Sequence, residues 1–462
     1  MSALERLVSY LPEVAAPTQK HVSFKEKLKW TGITLVLFFV LGLIPLFGLG
    51  QNELQRFEFL SIILGASFGS LISLGIGPLV TGSIVLQLLN GSGIVTFDLT
   101  TPEGKKYFQG VQKLLGFGFI LFEAAIYVYM GGLAPNPTLA GTALFRQIQL
   151  LLVFQLMLGG ILIMFMDEVI SKWGFGSGIS LFIAAGVCQE VFIRALSPLP
   201  SPTNPAIATG AIPALFQSLA AGDAQTAGLM FAAVLSTILV FVISVYAKSM
   251  KVEIPLSFGR VRGHGIRWPL SFMYTSNIPV ILVAALLANV QLWARLLQNW
   301  GYPLLGTFSG NTPTSGLVAY IHAPDLLQKV ITGSISSGDL VASFVYLLFM
   351  TVGAVVFSWF WVQTSGMDAH SQAENMMKSG LQIPGFRKDT RILERILDRY
   401  IPPLTVMGAL AVGLLASLAD LTGSLARGTG ILLTVMIIYQ LYEEVAKEHL
   451  MEMNPMMRKF ME

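Results

Sequence analysis

Long apolar runs separated by short polar stretches recur along all 462 residues of the chain. A helix needs about 20 apolar residues to cross a bilayer. By that measure ten spans are predicted, at 31–47, 73–90, 112–130, 144–166, 177–196, 228–246, 270–292, 340–362, 403–420 and 428–445. A further apolar stretch within 53–67 is too short and too polar at its start to cross, and it reads as a re-entrant half-helix. The second span is unusual. Residues 74–90, L-G-I-G-P-L-V-T-G-S-I-V-L-Q-L-L-N, carry three glycines, Pro78, Thr81, Ser83 and Gln87. A helix that only sits in lipid does not need that mixture. One reading is a kinked structural helix. The other is a cavity lining, because irregular backbone at membrane depth is tolerated only where protein or water covers it.

Composition agrees with the pattern. The chain is 54% hydrophobic and 12% charged, against about 25% charged in soluble domains, so the fold class is an all-α polytopic membrane protein. The N-terminal M-S-A-L-E-R-L-V has no basic start or cleavage site, so the first span is expected to stay in the mature protein. Cys188 is the single cysteine. It allows no intrachain disulfide and is expected to be a small buried hydrophobe. With ten spans, 23 of the 29 Lys and Arg residues fall on the side that holds both termini. The excess of basic residues marks the cytoplasmic side, which predicts a multi-pass membrane protein with both ends in the cytoplasm.

A division near Gly222 leaves five spans in each half, so the second half starts from the opposite face, the condition for an inverted repeat. The expected organisation is a cytoplasmic segment at 1–30, a first half at 31–222, a second half at 223–445 and a cytoplasmic tail at 446–462. The second half carries two large cytoplasmic loops, 248–268 and 363–400. On the outer side, 197–213 holds five prolines and no charge, and a short interfacial helix is expected at 214–221.

Catalytic chemistry is not indicated. The five histidines fall in loops or tails, none at metal-ligand spacing, and there is no phosphate-binding Gly-x-x-x-x-Gly-Lys-Ser/Thr loop. No cofactor or enzymatic activity is expected. Gly75/Gly77 and Gly159/Gly160 read as close-packing positions. Glu123, midway along the third span, is the clear intramembrane ionisable residue, a functional suspect by default. It is expected to face polar groups such as Thr81 or Asn289 rather than a proton path. Asp167, Glu168, Arg194, Asp420 and Arg427 lie at span ends, within reach of water. Within 248–268, K-S-M-K-V-E-I-P-L-S-F-G-R-V-R-G-H-G-I-R-W alternates like a hairpin, with 252–256 and Val261 pairing and Arg260 and Arg262 presented outward. The second loop adds P-G-F-R-K-D-T-R. These are either ordinary positive-inside loops or docking elements for a polyanion.

Several motifs together resemble the SecY family, the central (alpha) subunit of the Sec protein-conducting channel, in wording closer to its archaeal members. They are 74–90, D-E-V-I-S-K-W-G-F-G-S-G-I-S-L-F-I-A-A-G, K-V-E-I-P-L-S-F-G-R-V-R-G, Y-T-S-N-I-P-V-I-L, P-G-F-R and Y-I-P-P-L-T-V-M. The resemblance runs in order from about residue 24 to 448. It implies two inverted five-helix halves around a central pore. The pore would close on an apolar ring of Ile76, Val80, Ile179, Ile183, Ile281 and Leu433, with a plug at about 53–67. It implies a lateral gate whose polar cluster is Thr81, Glu123 and Asn289, and ribosome docking through Arg260, Arg262 and Arg387. Implied partners are SecE (gamma), SecG or the archaeal beta subunit, the ribosome, nascent polypeptides with their signal sequences, and lipid. A dewetted, deformable collar of branched side chains suits this role, because it resists ions while yielding to a chain of any sequence. Unaided by the resemblance, the same six residues read as core positions at helical spacing. The reading from another class is a proton-coupled secondary transporter of a small solute, with Glu123 as the coupling carboxylate.

Overall fold

The computed structural model describes residues 11–18, 22–50, 68–91, 94–95, 97, 101–201, 207–258, 265–275, 278–299, 301–309, 312–378, 381–382 and 390–453. The protein is built of helices: α1 Phe24–Gly42, α2 Gly77–Gly91, α3 Pro102–Tyr129, α4 Ala143–Trp173, α5 Gly178–Leu196, α6 Ala211–Ala221 and α7 Ala224–Ser249. The strands β1 Lys251–Phe258 and β2 Gly265–Ser271 follow, then α8 Ile278–Asn299. A small hairpin, β3 Thr307–Ser309 and β4 Thr312–Ser315, leads through α9 Gly316–Tyr320 and α10 Leu326–Ile331. The chain closes with α11 Ser337–Thr364, α12 Ala369–Lys378, β5 Leu381–Gln382, α13 Thr390–Leu421 and α14 Gly428–Met453.

Among the described residues, eight helices are long and apolar enough to cross a membrane: α3, α4, α5, α7, α8, α11, α13 and α14. The first two of the ten expected spans fall short of that test. Helix α1 carries Lys25, Glu26, Lys27 and Lys29 in its first turns and stops at Gly42, and α2 has only 15 residues. The missing lengths are turns that satisfy each other's backbone. Pro45 bridges Ser70, the Leu46 amide donates to the Gly69 carbonyl at 2.9 Å, and the Leu71 amide donates to the Ile44 carbonyl at 2.9 Å. Gly75 adopts φ +56°, a left-handed conformation that interrupts the helix just before Pro78 enters the first turn of α2. The seventh expected span begins at Ile278 rather than 270, because residues 270 and 271 belong to β2. The half-helix expected within 53–67 lies outside the described residues.

Two large apolar cores form among the described residues, beside two smaller clusters. The buried members of one lie within residues 41–182 and centre on Ile120, Leu152, Leu156 and Ile163, all fully buried, with Leu441 of α14 packed against them. The other gathers α8, α11, α13 and α14 around Met350, Val280 and Met436, and draws in Val80, Ile84 and Ala184 from the first part of the chain. Close approach of helices depends on Gly159 and Gly160 as expected, but not on Gly75 and Gly77: a Cβ on Gly75 would meet no atom within 4 Å, and one on Gly77 only Glu123 Oε2 at 3.4 Å. A Cβ on Gly159 would collide with the Leu71 backbone, and one on Gly160 would lie 2.7 Å from the Ile120 side chain.

The basic loop at 248–268 does form a hairpin, but in a longer register than expected. Lys251 pairs with Ser271 and Ser257 with Gly265, so Val252 faces Leu270 rather than Val261. β5, from the second basic loop, adds to β1 through Ser257–Gln382 and Phe258–Leu381, so both loops share one three-stranded sheet in the order β2-β1-β5. Lys251, at the hairpin's base, is held 2.9 Å from Glu443 of α14, a hydrogen bond that keeps its ammonium above the usual lysine range.

Candidate channel waist and lateral seam

Ile76 and Val80 stand one turn apart where α2 begins, and the Val80 amide donates to the Ile76 carbonyl at 3.1 Å. Ile179 and Ile183 lie on the first turns of α5, Ile281 on α8 and Leu433 on α14. All six belong to a single apolar cluster. Val80 and Leu433 are buried, at 5% and 6% exposure, whereas Ile76, Ile179, Ile183 and Ile281 are only half-buried although they lie inside the helical bundle. Ile76 and Ile179 also pack on the core of residues 41–182, so they stand where the two cores meet.

Beside this cluster is a cavity of about 280 Å³, with Arg194, Gln291, His322, Asp325, Asp420 and Arg427 among its lining. Leu287, Ile321, Tyr346 and Met350 line the cavity and also belong to the apolar cluster, so a polar chamber ends directly on an apolar wall. Burial first, and Arg427 second, push His322 below the usual imidazole range.

The polar cluster is assembled. Helix α2 packs on α3 along one side and on α8 and α11 along another. Thr81 of α2 accepts a hydrogen bond from Asn289 Nδ2 of α8 at 3.0 Å and donates to Glu123 Oε1 of α3 at 3.4 Å. Its single proton is shared with the Gly77 carbonyl of its own helix, the nearer acceptor at 2.8 Å. Glu123 is 6% exposed and Thr81 9%. Gln112 Nε2 of α3 donates to Ser83 at 2.6 Å, a second polar tie between α2 and α3. Gln112 is absent from the sequence-based cluster because it sits at the edge of its span, where a polar residue draws no attention.

Arg260, Arg262 and Arg387 lie outside the described residues. Two expectations need correction. Cys188 is exposed on α5, on the same helical face as Phe192 four residues later, rather than buried. Asp167 and Asp420 are not left to water, because each accepts the first amides of the helix that follows it. Among the described residues no group of His, Cys, Asp and Glu could hold a metal ion.

A polytopic helical bundle with two cores meeting at an apolar waist, beside a polar chamber and a hydrogen-bonded seam, has the build of a membrane channel. The family model for SecY matches residues 70–442, and the chain belongs to the SecY family. It is 47% identical over 461 residues to the protein translocase subunit SecY of Methanothermobacter thermautotrophicus, covering 99% of this chain and 98% of that protein. Among solved structures it is similar to a SecY whose plug domain stabilises the closed state of the translocation channel and maintains a membrane seal. That match has a TM-score of 0.83 and 41% identity, over 97% of this chain and 98% of the other. It is also similar to Sec61 in the canine ribosome–channel complex from the endoplasmic reticulum, with a TM-score of 0.81 and 41% identity over 97% and 98% of the two chains.

Proposed function

We propose that this chain is the pore-forming subunit of a protein-conducting channel, which passes secretory polypeptides across the membrane and releases transmembrane segments sideways into lipid. One observation carries the reading: six branched apolar side chains from four elements share one cluster, and two of them, Ile76 and Ile179, join it to the second helical core. These side chains are the collar that seals the resting pore. Thr81, Glu123 and Asn289 latch the lateral gate, whose opening between α2 and α8 costs the Asn289–Thr81 hydrogen bond and is offset by docking of an apolar signal sequence.

The two halves divide at Gly222, which ends α6 in a left-handed conformation at φ +76°, and the plug lies within 53–67. Arg260, Arg262 and Arg387 dock the ribosome, a role supported by the sheet that joins their two loops and by the ribosome-bound relative. SecE (gamma) and SecG or an archaeal beta subunit complete the complex in the plasma membrane, with both termini cytoplasmic. Nothing in the site favours the proton-coupled transporter: Glu123 is bonded to a neutral threonine, and the waist is apolar.

The test is electrical. Replacing Ile76, Val80 and Ile183 together with glycine is expected to raise the resting ion conductance of reconstituted channels several-fold. Unchanged conductance would remove the collar.

A further inference from the structure

Helices α5 and α14 are begun in the same way, although they stand some 250 residues apart. Each starts at a glycine, Gly178 or Gly428, and each carries a waist residue five positions later, Ile183 or Leu433. In each case the preceding helix supplies a carboxylate to the free amides at the start. Asp167 Oδ1, near the end of α4, accepts the Ile179 amide at 2.9 Å. Asp420 Oδ1, at the end of α13, accepts the Thr429 amide at 2.8 Å and its hydroxyl at 2.9 Å, while Oδ2 takes the Tyr346 hydroxyl. Ser177, the residue placed to cap α5 locally, makes no side-chain cap bond, so Asp167 takes that role from a distance.

The glycines make the junctions tight. A Cβ on Gly178 would lie 2.6 Å from Asp167 Cα, and one on Gly428 would overlap the Ala419 backbone. Helices α5 and α14 then pack on each other, with Gly430 against Val187 and with Ile431, Val187 and Val191 in one cluster.

We propose that Asp167 and Asp420 are paired positioning residues that fix the starts of α5 and α14 against the preceding helices and so set where Ile183 and Leu433 meet in the waist. The inference rests on the waist reading above. A one-residue slip at either start would move the waist side chain by about 1.5 Å along the axis and about 100° around it, enough to open a collar sealed by branched side chains.

The test uses the complete reconstituted channel. Asp167→Ala and Asp420→Ala are each expected to raise resting ion conductance several-fold. Asp167→Asn and Asp420→Asn, which keep an acceptor oxygen, should stay near the parent value. In a Cys188→Ala background, spin labels at 183 and 433 should show a distance distribution that broadens in the alanine variants and not in the asparagine ones. Glu190→Ala, which removes the 3.1 Å ion pair to Arg194 on the same helix α5, is expected to change neither readout. If an alanine variant does not assemble, Asp→Glu, which lengthens the reach by one methylene, is expected to leak in its place.

Parent-like conductance and distances in the alanine variants would overturn the proposal, as would an equal effect of Glu190→Ala. The same experiment includes Ile183→Gly with Leu433→Gly. If that pair leaks while the aspartate variants do not, the collar stands and the positioning role falls. If distances shift in the aspartate variants but nothing leaks, the positioning role in a seal falls together with the collar.

Discussion

Thr81 is the residue on which the seam turns, because a single hydroxyl serves partners on two other helices. Asn289→Ala removes the bond that crosses from α8 to α2. Losing a buried neutral hydrogen bond costs about 1 kcal/mol, so the closed seam should weaken by about fivefold. Precursors with weakly apolar signal sequences should then be exported better than by the parent, measured as protease-protected product. Glu123→Gln keeps a polar neighbour for Thr81 and is expected to change which signal sequences work without abolishing transport. Complete loss of transport together with a lost pH response would contradict the seam and favour proton coupling. At this scale the sequence told type better than partner. Glu123 is conspicuous because a carboxylate inside a span is costly, and its neighbours can be named because few polar groups share its depth. The partners of Asp167 and Asp420 and the exposed face of Cys188 depend on which helices pack together, and nothing local in the sequence encodes that.

Elements were legible where a long apolar run alone decides. Spans from α3 onward overlap their expected places, with α8 starting late, and Gly159 and Gly160 pack as small residues in a membrane bundle do. The ends of α1 and α2 were not legible, because the backbone pairing of 44–46 with 69–71 substitutes for helix there and leaves no periodic signature. The register of β1 with β2 was missed for a similar reason: alternation announces a hairpin, but its length is set by where the turn falls. The glycine contacts give a direct test. Gly159→Ala must push the α4 backbone away from Leu71, an overpacking cost of about 1–3 kcal/mol, and should lower the Tm of the purified channel. Gly118→Ala meets no atom within 4 Å on α3 and should leave Tm unchanged or slightly raised, as alanine's helix preference dictates.

At the scale of the whole molecule, two basic loops far apart in sequence become one sheet on a helical frame. That sheet is anchored to α14, the helix of Leu433, by Lys251 and Glu443. Changing Arg260 and Arg387 together to glutamate should weaken ribosome co-sedimentation at least tenfold at low salt, with the difference shrinking as salt rises, because phosphate contacts release counterions. Unaffected binding would contradict the docking role. The central claim is that a polypeptide passes through the apolar waist, and one measurement addresses it directly. With Cys188 replaced by alanine, single cysteines at Ile76, Ile183 or Leu433 are combined with a ribosome-stalled secretory chain that carries one cysteine. The account predicts disulfide crosslinks from all three positions to the same short stretch of the nascent chain. No crosslink from any of them, with the ribosome demonstrably docked, would contradict it.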